Sequence, residues 1–138
     1  MKYAILLATA ALALTTACSK DSSSSTTPTQ ATRTTETFNG TVPVRGSFSN
    51  TFTVSQSGET DVTLTAAAPP SNISMGLAIG VPDASSNCIP ITGPMTVTPA
   101  GTTPQLSLVT SPGPLCVLVR DVGNATAAVT YTVTVLHP

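Results

Sequence analysis

The sequence contains no tryptophan, one histidine and few charged residues. Charged side chains make up 8% of the 138 residues, aromatic side chains 4% and apolar side chains 41%. Binding to nucleic-acid phosphates needs several cations on one face, and the two lysines and three arginines are scattered along the chain. The composition therefore excludes nucleic-acid binding. Its low charge and many β-branched residues favour strands over disorder or helical bundles.

The N-terminus carries the pattern of an export signal. Lys2 provides a positive charge, and residues 3–14 form an apolar run of about a dozen residues, too short for a stable membrane span. The run leads into Leu14-Thr15-Thr16-Ala17-Cys18, which resembles the lipobox of bacterial lipoproteins. That resemblance implies cleavage before Cys18 and attachment to a membrane through lipid on Cys18. The alternative is an ordinary secretory signal cut at the same place, since small residues precede the cut.

The lipobox resemblance also implies a location in the bacterial cell envelope. Ser19 follows the cysteine, where Asp is the usual inner-membrane retention signal of Gram-negative lipoproteins. We therefore expect the outer membrane rather than the inner one if the cell has both. Residues 18–37 consist mainly of Ser and Thr without apolar periodicity, which predicts a flexible tether. The predicted divisions are a signal peptide at 1–17, a lipidated tether at 18–37 and a folded domain at 38–138.

Three cysteines are an odd number for an exported protein. With Cys18 assigned to lipid, Cys88 and Cys116 remain, and an oxidising compartment favours a disulfide between them. Closing a loop of roughly 29 residues is expected to stabilise the fold by about 3–4 kcal/mol. The alternative is two free, buried thiols.

The folded part consists of short β-forming runs separated by Pro- and Gly-containing turns. Residues 115–119 are apolar on both faces, and residues 129–136 alternate mostly apolar residues with Thr. We interpret residues 115–136 as a hairpin that forms the nucleus of the domain, with Cys116 as its covalent anchor. About eight short strands without a helical window predict an all-β fold of antiparallel strands, either a single β-sandwich or a small barrel.

Several local features refine this prediction. Residues 57–59 have the composition of a hairpin turn, and in the following strand Val62, Leu64 and Ala66 are predicted to face inward. Residues 73–81 place small side chains on one face, which predicts close packing there or a bulge. The aromatic residues predicted to face the core are Phe48, Phe52 and Tyr131, which leaves Phe38 as the one aromatic side chain available to a ligand.

The order of these segments resembles the pre-peptidase C-terminal (PPC-like) β-sandwich over about residues 38–136. That resemblance implies a jelly-roll-like fold and a non-catalytic accessory role, because family members are usually appendages of secreted peptidases. The chain departs from the family in its lipid-modified tether, which stands where a peptidase would, and in its cysteine pair. The matching segments are Phe52-Thr53-Val54, Gly58, Val62-Thr63-Leu64, Leu77-Ala78-Ile79, Gly113 to Val119 and Tyr131 to Val135.

Few side chains in the predicted domain are suited to metal binding. One histidine and two cysteines predicted to pair leave no zinc ligand set. Glu59, Asp61, Asp83 and Asp121 match neither a calcium-loop spacing nor a glycosidase pair. Some PPC-like sandwiches bind calcium, for which loop oxygens near Asp83 or Asp121 are candidates, but turn formation explains the same residues. We predict no metal and no cofactor.

Catalytic groups are also few. His137 is the penultimate residue, where we expect it to be exposed or packed at an edge, without an orienting partner. We therefore predict no catalytic residue and no enzymatic activity. The predicted function is that of a membrane-anchored, non-catalytic binding or spacer module with an unknown protein or polymer ligand. The alternative is a small secreted hydrolase-associated or inhibitor domain that acts on envelope or extracellular polymers.

Overall fold

The computed structural model describes residues 32–138, and the predicted signal peptide, lipidation site Cys18 and most of the tether lie outside them. The described part of the chain contains no helix, and thus none that could span a membrane. The all-β prediction is confirmed, with nine strands instead of about eight. The strands are β1 (Thr34–Val42), β2 (Ser47–Val54), β3 (Gly58–Ala68), β4 (Met75–Pro82), β5 (Cys88–Pro90), β6 (Thr96–Thr98), β7 (Leu106–Thr110), β8 (Gly113–Asp121) and β9 (Val129–His137).

The strands form two antiparallel sheets that pack face to face. The first sheet has the order β1-β9-β3-β7, and the second has the order β2-β8-β4-β5, with β6 also paired to β4. Consecutive strands alternate between the sheets except at β4, β5 and β6, and this is the strand order of a jelly roll. The predicted jelly-roll-like sandwich is therefore confirmed.

The predicted hairpin at residues 115–136 is wrong. β8 lies between β2 and β4 in the second sheet, whereas β9 lies between β1 and β3 in the first. Residues 57–59, which were expected to form a hairpin turn, likewise connect strands of different sheets. The two predicted strands are present, but local turn composition does not determine which strand becomes the hydrogen-bonded neighbour.

The core lies between the two sheets and follows the period of two. In β9, Val129, Tyr131, Val133 and Val135 are buried, as predicted, and the intervening threonines are not. In β3 the alternation breaks at an irregularity between Leu64 and Ala66. As a result Ala67 faces the core and the predicted Ala66 is exposed. The other core side chains are Val42, Phe52, Val54, Val62, Leu64, Ile73, Met75, Leu77, Ile79, Leu115, Val117, Val119 and Ala125.

Strand β1 begins at Thr34, so residues 34–37, which were predicted to be tether, belong to the fold. They pair with the end of β9, from Thr34 opposite His137 to Thr37 opposite Thr134. An edge strand in this position needs few apolar side chains, which explains why hydrophobic periodicity did not reveal it. The strand ends at Val42, before Pro43, as expected for a proline at the edge of a sheet.

The aromatic predictions are partly wrong. Phe52 and Tyr131 are buried, but Phe48 lies on edge strand β2 and is 44% exposed. Its ring packs beside that of Tyr131, with the ring centroids 6.4 Å apart. Phe38, predicted to be free for a ligand, packs partly buried against the core. The burial of a side chain at the edge of the sandwich thus depends on the opposite sheet, and the pattern of a single strand does not show this.

The disulfide between Cys88 and Cys116 is confirmed, with the two Cα atoms 5.8 Å apart. It joins the short strand β5 to central strand β8, across the small-residue face of β4. Gly80 pairs with Cys116 on one side and with Pro90 on the other. A Cβ atom at Gly80 would overlap the carbonyl oxygen of Ile89, so the predicted close packing on this face is also confirmed.

Candidate functional site

Asp121 ends strand β8 and ties two loops together at one end of the sandwich. Its side chain is 3% exposed and accepts four backbone hydrogen bonds. Oδ2 accepts from the amide of Arg45 at 2.6 Å. Oδ1 accepts from the amides of Gly123 at 2.9 Å and of Asn124 and Ala125 at 3.1 Å. The carboxylate therefore fixes the β1–β2 turn against the β8–β9 connection; we call this end of the sandwich the Asp121 end.

These hydrogen bonds lower the pKa of Asp121 below its usual value. The amide of Arg45 contributes most, burial opposes it by raising the pKa, and the other three amides add to the lowering. The folded state therefore favours the ionised carboxylate. Its stabilising contribution is complete above the pKa of an unfolded Asp, near 3.9, and disappears as the pH falls through the lower folded pKa.

We expect Asp121→Asn to lower the melting temperature at pH 7 by about 5 °C or more, because a neutral amide accepts these hydrogen bonds less strongly. The melting temperature of the wild type should fall more steeply than that of the variant as the pH is lowered from about 5 towards 2. Thermal unfolding followed by circular dichroism across this range measures both effects. Asp83→Asn, in an exposed turn, is the control; an equal loss in both variants would contradict the role of Asp121.

An open groove lies beside Asp121 and carries two arginines. Arg45 from the β1–β2 turn and Arg120 from β8 line it, together with Met95, Val122 and Gly123, around a volume of about 410 Å³. Both arginines are exposed, and neither takes part in the two ion pairs formed within residues 32–138. We call this feature the arginine groove. Sequence reasoning missed it because the two arginines are far apart in the chain.

A second, larger concavity lies along strands β1, β9 and β3 of the first sheet. It is shallow, encloses about 710 Å³, and is lined mainly by small side chains and threonines of β1, β3 and β9. Several of its hydroxyls are used within the fold: Thr132 donates to Asn39 at 2.7 Å, and Thr130 donates to the carbonyl of Ala68 at 3.0 Å. The one ionisable side chain that lines it is Tyr131, whose pKa burial raises to about 12. This surface offers polar and methyl contacts but no acid or base for neutral pH.

The prediction of an exposed or edge-packed His137 is wrong. The side chain is 4% exposed at the end of central strand β9, where its ring lies against Phe52 with centroids 5.2 Å apart. Nε2 lies 2.9 Å from a carboxylate oxygen of Glu36, and Nδ1 lies 3.2 Å from the carbonyl oxygen of Pro138. Glu36 was assigned to the tether, so its contact could not be foreseen. Both ring nitrogens face these oxygens and not a serine, threonine or cysteine nucleophile.

Asp61 is the centre of a hydrogen-bonded cluster at the same end of the sandwich as His137. It accepts from Arg33 at 2.7 Å and from the hydroxyl of Ser107 at 2.5 Å. Arg33 also donates to the carbonyls of Glu59 and Leu136, at 2.9 and 3.1 Å. Burial raises the pKa of Asp61, but the hydrogen bonds from Ser107 and Arg33 and the charge of Arg33 outweigh it and lower the pKa. The cluster holds the beginning of the described chain against β3 and β9.

The carboxylate of Asp83 accepts hydrogen bonds from residues of its own turn. Oδ1 accepts from the amides of Ser85 and Asn87, both at 2.8 Å, and Oδ2 accepts from the Asn87 side chain at 3.1 Å. The Asn87 side chain is the largest cause of the lowered pKa of Asp83. The carboxylates of Asp83 and Asp121, which were the calcium candidates, thus already accept hydrogen bonds from nitrogen donors. Over residues 32–138, no three His, Cys, Asp or Glu side chains are grouped to hold a metal.

No protein-family model matches this sequence, and no curated protein is significantly similar to it. The resemblance to the PPC-like family therefore remains a prediction.

Proposed function

We propose that the protein is a membrane-anchored envelope lipoprotein whose β-sandwich acts as a binding or spacer module without catalysis. One observation carries the non-catalytic part: His137 and three of the four candidate carboxylates, those of Asp61, Asp83 and Asp121, are engaged in contacts that support the fold. Asp121 holds two loops, Asp61 holds Arg33, and His137 lies against Glu36.

The two concavities described above support the same proposal. General acid–base catalysis at neutral pH needs a group in a cleft that changes its charge near that pH. The larger groove presents threonines, alanines and Tyr131, whose pKa of about 12 keeps it protonated. The arginine groove presents permanently charged guanidinium groups. Both surfaces are suited to holding a molecule and not to transforming one.

The anchoring part of the proposal rests on the lipobox at residues 14–18 and on where the fold begins. Because β1 starts at Thr34, the proposed tether between Cys18 and the domain comprises residues 19–33. A flexible chain of this length spans roughly 20 Å on average. This distance is sufficient to hold the sandwich clear of a lipid surface.

We expect Cys18→Ser to move nearly all of the protein from the membrane fraction to the soluble fraction of the producing cell, because a serine cannot be acylated on sulfur. Cell fractionation with immunoblotting measures the distribution. Ser19→Ala serves as the matched control and should stay in the membrane fraction. If the Cys18→Ser protein partitions as the wild type does, the anchoring proposal fails.

We expect the purified wild-type protein to show no turnover of peptide, ester or glycan substrates. Turnover that His137→Ala or Asp121→Ala abolishes, in a variant that remains folded, would contradict the non-catalytic part of the proposal.

A further inference from the structure

We propose that the arginine groove binds an oxyanion, a carboxylate or phosphate group carried by the ligand of this module. This inference rests on the proposed binding role and specifies its chemistry. A guanidinium group offers donors in a planar fork that matches the oxygens of carboxylates and phosphates. Arg45 and Arg120 both line this groove, so both can donate hydrogen bonds to one oxyanion held there.

The placement of the positive charges points to a ligand. Residues 32–138 contain three arginines and no lysine, and Arg33 is neutralised by Asp61 at 2.7 Å. The other two, Arg45 and Arg120, line the same groove. Two arginines and one aspartate line the groove, so its side chains carry a net charge of about +1, which favours an anion. The one acidic residue that lines the groove is Asp121, whose carboxylate accepts four backbone hydrogen bonds.

The framework under both arginines is rigid. The backbone of Arg45 has φ of 57°, a conformation uncommon for residues other than glycine, and its amide is held by Asp121 at 2.6 Å. The amide of Gly46 closes the same turn by donating to the carbonyl of Pro43 at 2.8 Å. Arg120 lies on β8, paired with both neighbouring strands of its sheet. The two side chains therefore extend from fixed positions, which reduces the entropy lost on binding.

Apolar side chains line the groove beside the charges. Gly76 of β4 has no Cβ atom. A Cβ atom at this position would lie 3.0 Å from Met95 and 3.2 Å from Val122, so these two side chains pack over the glycine. Both residues also line the arginine groove. Apolar surface next to a guanidinium displaces water and strengthens its attraction for an anion. The arrangement fits an oxyanion attached to a larger molecule that contacts Met95 and Val122.

The experiment is an NMR titration of the ¹⁵N-labelled full-length protein with inorganic phosphate and, separately, with glucuronate as the carboxylate probe. We expect saturable amide shifts concentrated at residues 45–46 and 120–123. Arg45→Gln and Arg120→Gln should each weaken binding about tenfold or more, since each removes charge-assisted hydrogen bonds. Raising the salt concentration should weaken binding to the wild type. The probe that binds with the higher affinity indicates whether the ligand carries a phosphate or a carboxylate group.

The matched control is Arg33→Gln, which removes the same charge at the opposite end of the sandwich and should change the affinity less than about twofold, because salt screens charges at that distance. The amide spectrum of each variant also reports whether it is folded. Absence of saturable shifts with both probes overturns the proposal. Equal weakening by Arg33→Gln also overturns it, because the attraction would then be diffuse. Neither result affects the Cys18→Ser fractionation, so the two proposals fail independently.

Discussion

Replacing both cysteines of the disulfide, as Cys88→Ala with Cys116→Ala, is expected to lower the free energy of unfolding by about 3–4 kcal/mol. The bond joins residues separated by 28 positions, so its loss releases a long loop in the unfolded chain. A domain of this size has a total stability of about 5–15 kcal/mol, and the variant should therefore be close to unfolding in warm conditions. Alanine is preferred to serine because Cys116 is completely buried, where a hydroxyl would lack a partner.

Urea unfolding followed by circular dichroism measures this loss as a lower midpoint. The wild type in a reducing agent should approach the midpoint of the double variant, because both lack the same bond. Both proteins are compared in the Cys18→Ser background, which removes the proposed lipid and leaves the Cys88–Cys116 pair of the reference protein intact. A double variant with the midpoint of the oxidised wild type would show that the bond contributes nothing to stability.

Gly80→Ala is expected to have the second largest effect, a loss of about 2–3 kcal/mol. The new Cβ would overlap the carbonyl oxygen of Ile89 and lie 2.7 Å from its carbonyl carbon and 2.9 Å from the Sγ atom of Cys88. These atoms belong to the backbone and to the disulfide, so they cannot rotate away as a flexible side chain can. The substitution therefore has to push β5 away from β4.

Gly76→Ala provides the matched control on the same strand and the same face. Its Cβ would meet the Cε atom of Met95 at 3.0 Å and the Cγ1 atom of Val122 at 3.2 Å, and these side-chain ends can move. We expect a loss below about 1 kcal/mol. Urea unfolding of both variants gives the comparison. Equal losses, or a larger loss in Gly76→Ala, would contradict the packing described for β5.

The period-two pattern of the sequence predicted which faces of most strands are buried, because burial in a strand depends on local alternation. The pattern succeeded along β9, where the buried valines and Tyr131 alternate with threonines. It failed in β3 because the irregularity after Leu64 adds a residue that the pattern does not reveal. Strand partners were also missed. In a jelly roll the hydrogen-bonded neighbour is usually not the next strand in the chain, as β8 and β9 show.

The candidate site was predictable only in part for the same reason. The sequence placed Asp121 at a turn, and the hydrogen bonds to Gly123, Asn124 and Ala125 are of this local kind. The bond from the amide of Arg45 joins residues distant in sequence, and so does the groove that this bond helps to build. His137 was misjudged because its partner Glu36 belongs to a strand that has almost no apolar pattern.

The course of β1 separates the point where the chain enters the sandwich from the arginine groove. The strand enters the sandwich at Thr34, beside His137, and leaves it at Val42, just before Arg45. Nine extended residues cover roughly 27 Å, so the entry point of the chain and the arginine groove lie at opposite ends of the sandwich. In the proposed anchored protein, a ligand in the groove would therefore not compete with the tether for the same surface of the domain.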